Sequence, residues 1–295
     1  MRVAMKRMEA EHAAGVGATL GEGPVWAARD RALWFVDIKA PRVHRFDPET
    51  GRVDAWEAPA EIGWVLPGSD GGFLAGLATG LHRFSPDTGR FELQAEVEPG
   101  LPGNRLNDAA VDPAGRVWFG SMDNAEAAPT GRLYSYYHGE ARDSGVEPVI
   151  ITNGPAIAPD GRTLYAVDTV GRAVDAYAIA PDGTLGERRR FATIDPADGN
   201  PDGAVADAEG GVWLGLWGGW RARRYDSNGG VTHEVRFPVA NVTKLALGGP
   251  DGRTAYATTA RKGLDAAALR EQPLAGDLFT FRVDIPGVPV RPVEL

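Results

Sequence analysis

Residues 199–217 read GNPDGAVADAEGGVWLGLW and hold two turn signals close together, Pro201-Asp202-Gly203 and the run Asp207 to Gly210. The second joins two apolar runs, as the turn of a β-hairpin does. The first leads into an apolar run, about five residues ahead of the hairpin's own turn. A turn tripeptide where a strand should begin calls for a reason, and the rest of the chain supplies one.

The turn-plus-strand unit recurs as WAARDRALWFVD (26–37), PGSDGGFLAGL (67–77), DPAGRVWFGSM (112–122), APDGRTLYAVD (158–168), DAEGGVWLGLW (207–217) and GGPDGRTAYATT (248–259), with starts about 40 to 49 residues apart. That period is the one expected of four-stranded propeller blades. Third strands follow as RVHRFD, GLHRFS, GRLYSYY, AVDAYAI, RARRYD and DLFTFRV, each alternating with the period of two that a half-buried strand requires. The spacing predicts an all-β protein: a six-bladed β-propeller of four-stranded antiparallel blades around a central channel, with residues 1–295 as one domain. The segment around Arg7 to Glu11 is expected to add the outer strand of the last blade and so cover an exposed sheet edge. Two insertions, Ser121–Thr130 and Thr258–Gly276, fall between second and third strands; the latter carries a short helical stretch at Leu264–Arg270. In a propeller such loops open on the face where the chain enters each innermost strand.

Composition narrows the chemistry. The 295 residues include 39 Gly and 22 Pro, as tight turns require, and no Cys, which removes disulfides, thiolate metal sites and cysteine nucleophiles. The formal charge of -9 argues against nucleic acid, which needs a basic face. MRVAMKRMEAEHAAGVGATL is charged at Arg2, Lys6, Arg7, Glu9 and Glu11, unlike a signal peptide, and no run reaches the roughly 20 apolar residues of a membrane span. A soluble, cytoplasmic monomer is expected. No Gly-x-Ser-x-Gly elbow exists, Gly15-Val16-Gly17 lacks dinucleotide spacing, and the five His are scattered, with His44 and His82 in third strands.

Repeat phase then separates one Pro-Asp-Gly from the others. At 158–162 and 249–253 the tripeptide joins first and second strands, and at Pro181–Gly183 third and fourth. Asp202 instead shares its phase with Glu22 in LGEGPVW, Asn107 in RLNDAAVDPAGR and Asn153 in TNGPAIAPDG. All four are expected to project into the channel at one end, as an oxygen-rich set suited to a divalent cation. Two other readings stay open: Asn-Gly and Asp-Gly as turns, and channel polar residues that hold only water. Trp64 and Lys244 share the phase in blades two and six and read as structural; Asp123 and Glu126 read as solvent-facing loop charges.

The motifs LGEGPVWAARDRALWFVDI, RLNDAAVDPAGRVWFGSM, NGPAIAPDGRTLYAVD, NPDGAVADAEGGVWLGLWGGWRARRYD, LALGGPDGRTAYATTARKGL and QPLAGDLFTF resemble, in order and over nearly the whole chain, those of the SMP-30/gluconolactonase/luciferin-regenerating family of six-bladed propellers. The resemblance implies one catalytic divalent metal ion (Fe2+, Zn2+, Mn2+, Ca2+ or Mg2+) held by Glu22, Asn153 and Asp202, with Asn107 beside it in the substrate pocket and Arg105 contacting the sugar. It implies hydrolysis of an aldonolactone of the xylonolactone or gluconolactone class, with Asp202 doubling as general base. The alternatives are a metal-dependent esterase or phosphotriesterase-like hydrolase on this scaffold, and a non-catalytic cation-binding propeller. Pro155 stands where the family usually has another apolar residue, and Leu106 where an aromatic is frequent.

Overall fold

The hairpins are built on aspartates. After the first strand of blade three, the Asp112 carboxylate accepts the backbone N–H groups of Ala114 and Arg116 at 2.9 and 3.0 Å, the Trp118 indole at 3.0 Å and Arg116 Nη1 at 3.1 Å. Asp207 repeats this in blade five, taking Glu209 and Gly211 N–H, the Trp213 indole at 3.2 Å and Arg224 Nε at 2.6 Å. Asp30 takes the Trp34 indole at 2.9 Å. A turn carboxylate thus pins the aromatic of the following strand, satisfying a donor that would be costly to bury unpaired.

The computed structural model describes residues 5–295; residues 1–4, including Arg2 of the charged N-terminal stretch, lie outside the described residues. The described residues form six sheets that follow one another along the chain, antiparallel except where an N-terminal strand joins blade five. Their innermost strands are Gly21–Ala27, Ile62–Pro67, Asn104–Val111, Thr152–Ile157, Asn200–Ala206 and Val242–Gly248, and the second and third strands of each follow in sequence order. The six third strands expected from the sequence are Arg42–Asp47, Gly80–Ser85, Leu133–Tyr137, Ala173–Ala178, Arg221–Tyr225 and Leu278–Arg282. The architecture is a six-bladed β-propeller. Aromatics lock blade to blade: Trp34 packs on Phe73 at 4.4 Å between ring centroids, and Trp213 on Phe281 at 5.6 Å. Each such buried ring contributes about 1.5–3 kcal/mol of transfer free energy.

The N-terminal segment divides between two blades. Lys6–Glu9 runs parallel to Val231–Arg236 as a fifth strand on blade five, and Glu11–Ala14 pairs antiparallel with Leu278–Arg282 at the outer edge of blade six. Ala10 is the crossing point, its N–H still bonded to Arg236 O at 2.9 Å. A helix forms at Ala266–Glu271, capped by Asp265. Among the described residues no helix is long and apolar enough to cross a membrane.

Candidate active site

All six innermost strands lose register against their neighbour at one level: between Glu22 and Val25, Ile62 and Trp64, Leu106 and Ala109, Asn153 and Ala156, Pro201 and Ala204, and Val242 and Leu245. Asp202 therefore lies inside the strand Asn200–Ala206 rather than ahead of it, and Pro201-Asp202-Gly203 is a β-bulge, which re-aims side chains without ending the strand. In blades three, five and six the unpaired bulge residues are Asn107-Asp108, Asp202-Gly203 and Thr243-Lys244, while in blades one and four Glu22 and Asn153 are the last paired residues before Gly23-Pro24 and Gly154-Pro155. In blade two Gly63 alone is unpaired, and Trp64 pairs with Gly76. Gly23 and Gly154 have φ of 53° and 67°, in the left-handed region where a side chain is strained, and the Gly154–Pro155 peptide is cis. At Gly63 a Cβ would lie 2.6 Å from Asn107 O, so glycine lets blade two close on blade three.

The structure brings the four polar residues to one buried level of the channel: Glu22, Asn107, Asn153 and Asp202 are each about 5–6% exposed. Asn107 Nδ2 donates to Asn153 Oδ1 at 2.9 Å and to Thr152 O at 2.6 Å. Asn153 Nδ2 in turn donates to Thr169 Oγ1 at 2.9 Å. Arg105, also buried, donates from Nη1 to Asn107 Oδ1 at 2.6 Å and from Nε to Asn124 Oδ1 at 3.2 Å. Glu22 is set by the chain before it: the Asp37 carboxylate accepts Thr19 and Leu20 N–H, and Gly21 O accepts Thr243 Oγ1 at 2.6 Å.

Burial and then the negative charge of Asp108 push the Glu22 carboxyl up to about 8. Burial, then Glu22 and Asp108, push Asp202 well above the usual carboxylate range. Such raised values mark carboxylates facing one another out of water without enough positive charge, a common feature of functional sites. Among the described residues no group of three or more His, Cys, Asp or Glu side chains is arranged to hold a metal ion. The oxygen set able to take one here is two carboxylates, Glu22 and Asp202, with the Asn153 amide.

Residues read as structural or solvent-facing also border this site. Asp123 is buried and accepts the N–H groups of Ala125, Ala127 and Ala128, so it shapes the blade-three insertion. Glu126 of that insertion pairs with Lys262 of the blade-six insertion. Asn124, Glu61 and Lys39 form a polar cluster against Arg105, with Lys39 Nζ at 2.8 Å from Glu61 and 2.7 Å from Asn124. Lys244 pairs with Asp108, a residue that sequence phase passed over. The signal for Asp108 was the break of alternation in Asn107-Asp108, which a two-residue bulge produces.

A family model described as "SMP-30/Gluconolactonase/LRE-like region" matches residues 20–261. The chain is 34% identical to 6-deoxy-6-sulfogluconolactonase of Pseudomonas putida over 92% of this chain and 93% of that one. It is 36% identical to L-arabinolactonase of Azospirillum brasilense over 88% of this chain and 87% of that one. A crystal structure of a calcium-binding protein, regucalcin, from Agrobacterium tumefaciens superposes with a TM-score of 0.94 at 28% identity, covering 99% of both chains. With Glu22, Asn107, Asn153 and Asp202 at the bulges of a six-bladed ring, in them or at their edges, and a family match running through all four, this chain belongs to the SMP-30/gluconolactonase/LRE-like family.

Proposed function

We propose that this protein is a divalent-cation-dependent sugar lactonase that opens an aldonolactone ring of the xylonolactone or gluconolactone class to the sugar acid. Lactone hydrolysis is the part carried by relatives named as lactonases. The observation that carries the site is the convergence, on one buried level, of two charge-crowded carboxylates with two hydrogen-bonded amides and a buried arginine.

Glu22, Asp202 and Asn153 fit a hard divalent cation: their donors are oxygens, and two buried carboxylates supply the charge that a doubly positive ion offsets. When bound, that ion supplies Lewis-acid stabilisation of negative charge on the lactone carbonyl oxygen. The chain's own residues do the rest. Asp202 is the base: its carboxylate stands on the same buried level as Asn107 and Arg105, next to the position of the attacking water, and takes a proton from it. The new C–O bond forms at the lactone carbonyl carbon, the bond to the ring oxygen breaks, and that oxygen leaves as the sugar hydroxyl after gaining a proton. Arg105 offers its remaining guanidinium donors to substrate oxygens, while Asn107, held between Arg105 and Asn153, presents a fixed amide edge. The wall of hydroxyl-matching donors supports a sugar lactone over an apolar ester.

The test is proton release from xylonolactone and gluconolactone by chelator-treated protein, with and without added divalent ions, after subtracting spontaneous hydrolysis. Turnover restored by an ion supports the proposal and ranks sugar and ion together. Ion binding without turnover of either lactone overturns it in favour of a cation-binding propeller or a different ester.

A further inference from the structure

One step along the strands from Glu22, Asn107, Asn153 and Asp202, the bulges of blades three and six contribute Asp108 and Lys244, which are 1% and 5% exposed. Lys244 Nζ donates to Asp108 Oδ1 and, at 3.2 Å, to Ala109 O. Blades three and six stand opposite one another in a ring of six, so this ion pair crosses the channel. Glycine clears its path: a Cβ on Gly203 would lie 2.4 Å from Lys244 Cβ and 2.8 Å from its Cδ. The lysine stem therefore lies against blade five's bulge, next to Asp202.

Beyond the pair the channel opens into a cavity of about 390 Å³ that has Asp108 and Lys244 at its inner end and apolar walls from Val25, Leu66, Val111 and Leu245. Residues 288–291 of the C-terminal tail line its other end. The pair is thus a floor between a polar level and an apolar one. A floor that only filled space would be apolar, because a buried ion pair gives up several kcal/mol of hydration per ion. This one is charged, and Asp108 Oδ2 is buried with no partner.

We propose that Asp108 and Lys244 are positioning residues that set how strongly Glu22, Asn153 and Asp202 hold a divalent cation. Asp108 adds negative charge beside the two carboxylates, and the Lys244 ammonium holds that charge in check. The inference rests on the reading of the site as a cation centre.

Calorimetric titration of the chelator-treated full chain with calcium chloride and with manganese chloride tests it. Lys244→Met and Lys244→Gln leave Asp108 uncompensated, and each is expected to bind the ion at least about tenfold more tightly than wild type. Asp108→Asn leaves the ammonium unpaired and is expected to bind at least about tenfold more weakly. The double variant Asp108→Asn/Lys244→Met, with the pair's charges both removed, is expected to return to within about threefold of wild type. A role in packing alone does not reverse sign between the two partners. Single variants that shift affinity in the same direction, or not at all, while melting cooperatively, overturn the inference. If both Lys244 variants fail to fold, Asp108→Asn decides alone: weaker binding supports the pair's role, and unchanged or tighter binding overturns it. Wild-type protein that takes up neither ion overturns the reading of the site and this inference with it; wild-type uptake with unshifted variants overturns this inference only.

Discussion

Arg105 decides which way Asn107 faces. Its Nη1 donates to Asn107 Oδ1 at 2.6 Å, and an amide whose oxygen is so engaged must turn Nδ2 toward Thr152 O and Asn153 Oδ1. Because guanidinium nitrogens only donate, the arrangement has one consistent solution. Arg105→Met removes that anchor and leaves a buried amide oxygen short of a donor, a cost of about 1–3 kcal/mol in stability. Lactone turnover should fall by about 10²-fold in kcat/KM, since a misplaced orienting group of this kind costs on that order. Steady-state kinetics with a thermal melt separate the two losses.

Asp202→Asn keeps an oxygen for the ion and the side-chain volume but cannot take a proton. If Asp202 is the base, kcat should drop by about 10²–10⁴-fold while calorimetry still detects a bound cation. Near-normal turnover with ion bound would leave Asp202 as a ligand only.

Legibility followed periodicity. The blades, their third strands and the channel phase of Glu22, Asn107, Asn153 and Asp202 were open to the sequence because strand alternation and the spacing of turn residues repeat. Asp202 looked as though it preceded its strand because Pro201-Asp202-Gly203 has turn composition; the bulge that holds it is visible only in the pairing with Leu214 and Leu216. Asp108 and Lys244 were hidden for a related reason. Their partnership runs between blades three and six, 136 positions apart, and no local pattern encodes it. The division of the N-terminal segment between blades five and six was likewise a matter of long-range pairing, since Lys6–Glu9 and Glu11–Ala14 differ little in composition.

Gly203→Ala tests the close approach at blade five. Its methyl would meet Lys244 Cβ and Cγ at 2.4 and 2.5 Å, atoms near the backbone that have little room to yield. Overpacking of this kind costs about 1–3 kcal/mol. A lowered unfolding midpoint in urea is expected, whereas Gly51→Ala, where nothing lies within 4 Å of the added methyl, meets no neighbour and costs only its backbone strain.

An ion that binds the folded protein and not the unfolded chain stabilises it by mass action, by about 2.7 kcal/mol at a hundredfold excess over Kd. Chelator treatment should therefore lower the melting temperature, and an added divalent cation should restore it. The restoration should be lost in Glu22→Gln/Asp202→Asn, in which both carboxylates are gone. An equal rise in that variant would locate the stabilising ion elsewhere.

His44 supplies a pH test away from the site. Its ring stacks on Phe35 at 5.0 Å between centroids, and its Nδ1 is buried without a partner. Burial is the main cause that lowers its pKa below 6.5; Arg42 acts in the same direction and Asp37 opposes. A histidine that resists protonation when folded binds fewer protons than in the unfolded chain, so its contribution is fully present above 6.5 and is lost as pH falls through the folded value. His82 and His233 are lowered by burial too and act in the same window. The histidine contribution to stability should thus decline from about pH 7 toward about pH 5, in the range where an unperturbed imidazole takes up its proton, while the raised carboxyls of Glu22, Asp108 and Asp202, which bind more protons folded than unfolded, act in the opposite direction over the same interval. His44→Phe keeps the stack and breaks no bond at Nδ1, so its melting temperature relative to wild type should rise progressively as pH falls across that interval, the other titrating groups being common to both proteins. A gap between the two proteins that stays constant with pH would mean that His44 does not contribute to the acid sensitivity.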